Sequence, residues 1–243
     1  MTSEDSERGT FTYSNPTVVH WGPRCLTERL DGELRRLGAR RAFVVTTRSV
    51  ARDPVLIESL EVQLGDRLVG CFAGIGQHAP ALSVAEAAVA AREARPDVLL
   101  SFGGGSPIDA AKAIAFALAT DLDLADPSAP ARAAEISTIG RPVLPHLAVP
   151  TTLSAAEMSG SAGFSAVETR EKVGLRAPEL LPAAVFYDAE LSLQTPAELW
   201  LSTGIRAVDH AVEGILSRGE HPFQDTMALE ALRRLQSSLL ATR

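Results

Sequence analysis

The chain of 243 residues reads as an α/β fold, a parallel sheet with helices on both faces, followed by the start of an all-helical unit. Three observations predict this. Short runs rich in Val, Leu and Phe alternate with longer segments whose apolar residues recur at helical spacing, the pattern of strand–helix–strand units. A glycine stretch, Gly103-Gly104-Gly105, lies between one such run and an Ala-rich helix. Near Thr195 the strand-like runs cease and only helical periodicity continues.

Residues 1–10 are polar and acidic, and read as a disordered tail without the apolar core of a signal segment. Thr10 to Trp21 alternates and contains Val18-Val19, which predicts a strand or a hairpin ending at Gly22-Pro23. Leu26, Leu30, Leu34 and Leu37 mark a helix that Gly38 closes. Arg41 to Thr46 reads as a buried parallel strand. A helix over about Asp53 to Leu64 ends at Gly65, and Leu68 to Phe72 is the next strand. A loop, Ala73 to Pro80, leads to an Ala-rich helix over Leu82–Ala94. The strand Asp97–Ser101 then runs into the glycine stretch and a helix over Ala110–Ala119.

Residues 120–142 carry polar residues and prolines and read as a loop or short helical excursion. His146 to Val149 is a further strand. It leads to Pro150-Thr151-Thr152 and to Ser154–Ala166, which is rich in Ser, Gly and Ala. Val185 to Asp188 reads as the last strand. Beyond Pro196 come a helix over Glu198–Thr203, a break at Gly204, a helix over Ile205–Leu216, and another over about Phe223–Leu240. The organisation is therefore a tail over 1–10, an α/β domain over 11–195 and a partial helical domain over 196–243. Two helices or so fall below the size at which a helical domain stands alone, so this part reads as a fragment or as completed by another chain. An apolar, Ala- and Leu-rich last helix makes a homodimer a further possibility.

Composition narrows the function. The net charge of −7 argues against nucleic acid as the main partner. The longest apolar run, Ala113 to Ala119, is far too short to span a membrane, and a cytoplasmic protein is the default expectation. The two cysteines, Cys25 and Cys71, lie far apart and read as free buried thiols.

Three stretches carry chemistry. The first is Phe102 to Lys112. Glycines let a backbone approach an anion closely, and a helix that starts there aims free N–H groups and its positive end at the same place. Ser106 is placed to cap that helix and Pro107 suits its first turn. A plain strand-to-helix turn would need one glycine rather than three. Asp109 either complements the helix dipole or serves a ribose or nicotinamide. The second stretch is Pro150 to Met158, whose hydroxyls can line a pyrophosphate or nicotinamide without adding charge, or simply form a Ser/Thr-rich turn. The third is Gly204 to Gly214. Arg206 and His210 stand four apart on one helix face with Glu213 nearby, either as a solvated ion-pair face or as a substrate-facing cation and imidazole. His78 sits on a loop at a strand end, within reach of a site there. His20, His146 and His221 show no evident partner.

Taken together, FGGGSPIDAAKAIA (102–115), VPTTLSAAEMSGSAGFS (149–165) and GIRAVDHAVEG (204–214), in that order, resemble the iron-containing alcohol dehydrogenase superfamily. Phe186 to Leu191 resembles its YDPEL segment. The spacing of Thr152 and Glu157, and the loop Gly76 to Pro80, are similar to the maleylacetate reductase branch. The resemblance runs from about Thr17 to the end of the chain. It implies a Rossmann-like domain, a helical domain, and a cofactor, NADH or NADPH, in the cleft between them.

It further implies that Gly104, Gly105 and Ser106 hold the pyrophosphate, that Asp109 lies on the nicotinamide side, that Thr151 and Thr152 contact the cofactor, and that Lys172 reaches its ribose. Thr47 stands where NAD-preferring members often carry an acid, and Arg48 beside it would attract a 2′-phosphate. Arg206 replaces the metal-binding Asp of iron-dependent members. A cation there repels a divalent ion, so no functional iron or zinc is expected. The expected activity is hydride transfer to an unsaturated or oxo carboxylate, with His210, His78 and Arg206 as the catalytic candidates. An alcohol dehydrogenase or aldehyde reductase on the same scaffold, and a truncated non-catalytic dinucleotide-binding subunit, are the alternatives.

Overall fold

The computed structural model describes residues 15–165, 172–217 and 222–242, and the side chain of Lys172 lies outside what it describes. Residues 1–10, read above as a tail, and His221 also lie outside the described residues. The chain divides into two compact units. One comprises Ser14–Thr151 and Ala155–Gln194; the other includes Thr152–Ser154 and Thr195–Arg243.

The first unit is built on a six-stranded parallel sheet. Its strands are β1 (Val18–Trp21), β2 (Ala42–Thr46), β3 (Leu68–Phe72), β4 (Val98–Gly103), β5 (His146–Pro150) and β8 (Ala184–Tyr187), in the order β1-β8-β5-β4-β2-β3. Every residue of β2, β4 and β5 is buried, as continuous apolar runs covered on both faces must be. Helices α1 (Cys25–Leu37) and α3 (Pro54–Leu64) cover one face with Leu26, Leu30, Leu34, Leu56 and Leu60. Helices α4 (Ala81–Ala94) and α5 (Gly105–Thr120) cover the other, where Ala88, Ala91, Ala110 and Ala113 allow close approach.

Several caps follow the sequence signals. Gly38, in the left-handed region at φ 66°, closes α1. Asp53 accepts the N–H groups of Val55 and Leu56 and starts α3. Between β2 and α3 lies a short turn of helix, α2 (Arg48–Ala51), capped by Thr47.

The structure corrects the sequence reading at several points. Of the two readings for the stretch that ends at Gly22, the strand is present as β1, which pairs in parallel with β8. Strand β4 runs on to Gly103, and α5 begins at Gly105, five residues before the expected start. Residues 154–165 carry elements that the sequence reading did not assign. They hold a short 3₁₀ turn, Ala156–Met158, and strand β6 (Ser161–Ser165), which pairs antiparallel with β7 (Lys172–Arg176) as a separate two-stranded sheet. Small residues with few large apolar ones hide the period-2 alternation that marks a strand. Cys25 is buried as expected, whereas Cys71 on the edge strand β3 is exposed. His20 and His146 do have partners: Glu33 at 3.1 Å and Ser101 at 2.7 Å.

The stretch after α5 holds the short helix α6 (Ala129–Ala134), and α7 (Ala189–Ser192) follows β8 directly. Asp188 joins these last two. Its carboxylate accepts from the N–H groups of Arg24, Leu26 and Glu190, at 3.0, 3.1 and 3.1 Å, so one side chain caps both α1 and α7. Arg24 has a left-handed φ of 60° at the N-cap of α1 and provides no side-chain cap itself.

In the second unit, α8 (Ala197–Ile215) pairs with α9 (Pro222–Ala241). The expected break at Gly204 is absent, and α8 runs through it unbroken. That glycine serves packing: a Cβ there would collide with the Leu239 side chain and stand 3.3 Å from Leu153 Cδ1. Among the described residues no helix is long and apolar enough to cross a membrane.

Candidate functional site: a glycine turn at the switch point of the sheet

Strand order places the site. From β2 the chain moves outward to β3; from β4 it moves the opposite way to β5. The crevice between the carboxyl ends of β2 and β4 is therefore the point where an open α/β sheet takes its ligand. Thr47 follows β2, and Gly103-Gly104-Gly105 closes β4, so both flank it.

Gly103 makes the turn possible. Its φ of +134° is a conformation that side chains disfavour, and a Cβ would stand 3.0 Å from the Pro107 ring. Gly104 and Gly105 are half-buried rather than sealed, so their amides remain approachable. Among the described residues no side chain caps α5; Gly104 holds the N-cap position, and Ser106 lies inside the first turn instead of capping it. The helix already starts at Gly105, so Ser106 falls inside its first turn. Pro107 has no N–H to leave unpaired. The uncapped end of a sixteen-residue helix thus directs amides and dipole at one place, the arrangement that holds a phosphate.

The loop after β3 closes over this turn. His78, left-handed at φ 63°, donates its backbone N–H to Ser106 Oγ at 3.0 Å, and its carbonyl accepts from Ser165 Oγ at 3.3 Å. Its imidazole is on an exposed residue. Thr47 Oγ1 meets Ser49 Oγ at 2.9 Å and accepts from the Val50 amide, so this hydroxyl helps to cap α2. Thr151 continues β5 by donating its N–H to Gly103 O at 2.9 Å. Asp109 stands half-buried on α5. The sheet unit therefore brings together Thr47, His78, Gly104, Gly105, Ser106, Asp109 and Thr151.

The remaining candidates belong to the helical unit, apart from Lys172, which opens β7. Thr152 is buried, and its Oγ1 has no partner among the described residues. Leu153 N–H is held by Thr203 Oγ1 at 3.2 Å. On α8, Arg206 and Asp209 form an ion pair, and His210 is exposed on the same helix. Among the described residues no three His, Cys, Asp or Glu side chains gather into a metal-holding set. The Arg206 guanidinium is a donor only and is not itself a metal ligand.

Sequence reasoning missed a buried polar cluster behind the turn. Lys112, two turns into α5, is fully buried and donates to the carbonyls of Ala156, Ser159 and Ser161 at 2.5, 2.7 and 2.7 Å. Burial pulls its ammonium down to about 8, while Asp109 and Glu157 pull the other way. Glu157, 1% exposed, accepts from Tyr187 Oη at 2.7 Å, and its second oxygen has no partner among the described residues. Burial raises the Glu157 carboxyl above its ordinary value. Burial and the adjoining Glu157 raise the Tyr187 phenol as well. His146 is held neutral, at about 3, by burial and by Lys112. The signal was a lysine inside an otherwise apolar helical run, a position that a solvated lysine does not take.

The sequence pattern of the family described as iron-containing alcohol dehydrogenase matches residues 16–189. The chain belongs to that family. Its relatives include a maleylacetate reductase of Rhizobium sp. (strain MTP-10005), 34% identical over 211 residues, covering 87% of this chain and 52% of the relative. Maleylacetate reductase 2 of Cupriavidus pinatubonensis (strain JMP 134 / LMG 1197) is 33% identical, with 93% and 56% covered. The chain thus spans about half the length of these relatives. The crystal structure of the Rhizobium enzyme superimposes with a TM-score of 0.76 at 31% identity, over 96% of this chain and 58% of that one. A 1,3-propanediol oxidoreductase superimposes with 0.84 at 26%, over 95% and 59%.

Proposed function

We propose that this chain serves an NAD(P)H-dependent oxidoreductase of the maleylacetate reductase type, which reduces an unsaturated or oxo carboxylate without a metal. The observation that carries the reading is Arg206 on α8, a cation paired with Asp209 that can donate to a carboxylate but cannot ligate a metal. Maleylacetate reductases among the relatives support the same direction. Gly104, Gly105 and Ser106 fit a dinucleotide pyrophosphate, since the uncapped start of α5 supplies amides and dipole there. Thr47, Asp109, Thr151, Thr152 and Lys172 complete the proposed cofactor contacts. A bound nicotinamide would supply the hydride.

Arg206 keeps donors beyond the one engaged by Asp209, so it is suited to receive a substrate carboxylate. His210, with His78, is assigned the orientation or protonation of the substrate. The proposed organisation is an α/β domain over 11–195 and a helical part over 196–243.

The test is an assay of NADH and NADPH oxidation with maleylacetate and, separately, with simple aldehydes, before and after dialysis against a chelator. Turnover of the oxo-diacid that survives chelation supports the reading. Activity confined to aldehydes points to the alcohol dehydrogenase chemistry that the 1,3-propanediol oxidoreductase likeness would favour. Binding of a dinucleotide without turnover of either points to a non-catalytic subunit. Arg206→Ala should raise KM for the carboxylate on the order of tenfold or more, the worth of a charge-assisted hydrogen bond, and leave dinucleotide affinity unchanged.

A further inference from the structure

The loop that follows β5 leaves the sheet at Thr151 and returns through residues 155–161. Both of its stems are tied to the same segment, β4–α5. The outgoing stem is fixed where Thr151 N–H meets Gly103 O. The returning stem is fixed by Lys112, whose Nζ reaches the carbonyls of Ala156, Ser159 and Ser161. An ammonium has three hydrogens, and here there are three carbonyl acceptors within 2.7 Å, so every donor is used. A neutral amine has two hydrogens and a lone pair. It would turn that lone pair toward one carbonyl and release it.

We propose that Lys112 is a positioning residue for the dinucleotide: its ammonium locks the returning stem of the threonine loop to the helix that carries the glycine turn, and dinucleotide affinity depends on that lock. The proposal rests on the cofactor reading above. It differs from that reading in assigning the affinity to a side chain that does not touch the ligand.

Among the described residues few titratable groups lie near Lys112. Asp109 lies on its own helix and Glu157 on the loop it holds; both favour the ammonium. His146 on β5 is neutral from mildly acidic pH upward, and Tyr187 on β8 stays un-ionised because its phenol is raised. Loss of the lock therefore falls near the pH where Lys112 gives up its proton, about 8 from burial, with the carbonyls displacing it upward if at all.

The experiment titrates NADH and NADPH into the full chain by nicotinamide fluorescence from about pH 7 to about pH 9.5, for wild type, Lys112→Arg and Lys112→Met. Amide exchange of residues 156–161 is followed over the same range without ligand, corrected for intrinsic rates. For wild type, Kd should rise on the order of fivefold or more across this range, and protection of the stem should fall with the same midpoint. Lys112→Met should bind on the order of tenfold more weakly at the lower end, and both variants should show a flat profile. A merely structural lysine would weaken binding without removing the pH dependence. A flat wild-type profile for a dinucleotide that does bind overturns the proposal with no variant needed. Failure of wild type to bind either dinucleotide overturns the cofactor reading, and with it the part assigned here to affinity. Exchange protection that does not respond to pH overturns the lock itself.

Discussion

Removing the buried carboxylate of Asp188 should destabilise the sheet unit strongly. Asp188 is 3% exposed and accepts three backbone N–H groups, from Arg24, Leu26 and Glu190. Replacing a capping carboxylate by alanine costs about 1 kcal/mol per helix start, and each buried donor left unpaired costs about 1–3 kcal/mol. Two helix starts and three stranded donors overlap as descriptions of one loss, so the sum is taken once, at about 3–4 kcal/mol for Asp188→Ala. That is a large share of the ~5–15 kcal/mol that holds a domain folded. Asp188→Asn keeps an oxygen for the Arg24 and Glu190 amides, which share Oδ1, and gives up the bond from Leu26 to Oδ2. It should cost about 1–1.5 kcal/mol. Equilibrium urea unfolding followed by far-UV circular dichroism reads both, provided the slope stays constant. A loss under about 1 kcal/mol for Asp188→Ala, or equal losses for Ala and Asn, would refute the double-cap argument.

Three further outcomes are expected. Gly103→Ala forces a Cβ into a φ of +134° against the Pro107 ring, so it should lower stability by about 1–3 kcal/mol and weaken dinucleotide binding in a fluorescence titration. Glu157→Gln should gain stability relative to wild type as pH rises above 4.5. The raised carboxyl means that the folded state holds a proton the unfolded chain releases, so wild type loses stability with rising pH, by up to about 1.4 kcal/mol per pH unit, and the glutamine does not. Paired denaturation curves at mildly acidic and neutral pH measure the difference. Gly204→Val should loosen the α8–α9 pair by about 2–3 kcal/mol, read as a lower melting temperature, because a branched side chain meets Leu239 and Leu153.

The sheet was legible because its central strands are unbroken apolar runs and its helices announce their ends with Gly38 and Asp53. The glycine turn was legible for the same reason, as a local sequence with one geometric meaning. What stayed hidden depends on distant partners. Asp188 reads as the end of a strand, and only the fold brings Arg24 and Leu26 to it. Lys112 reads as one more helical residue until three carbonyls from a loop more than forty positions away converge on it. Gly204 reads as a helix breaker, since local propensity sees the missing side chain and not the leucines that need its space. The hairpin of β6 and β7 escaped because Ser, Ala and Gly carry too little hydrophobic contrast to show a period.

The alanines of α5 have a mechanical meaning. Ala110, Ala111, Ala113, Ala115 and Ala117 are buried around the helix between the larger Ile108, Ile114 and Phe116, so it sits like a rod in a close sleeve with little slack. A methyl group added near its far end would have nowhere to go except along or across the axis, and the rod would carry that displacement to its first amides. Affinity for an anion at the glycine turn should therefore be sensitive to substitutions at Ala113 or Ala117, two to three helical turns from the place where the anion rests.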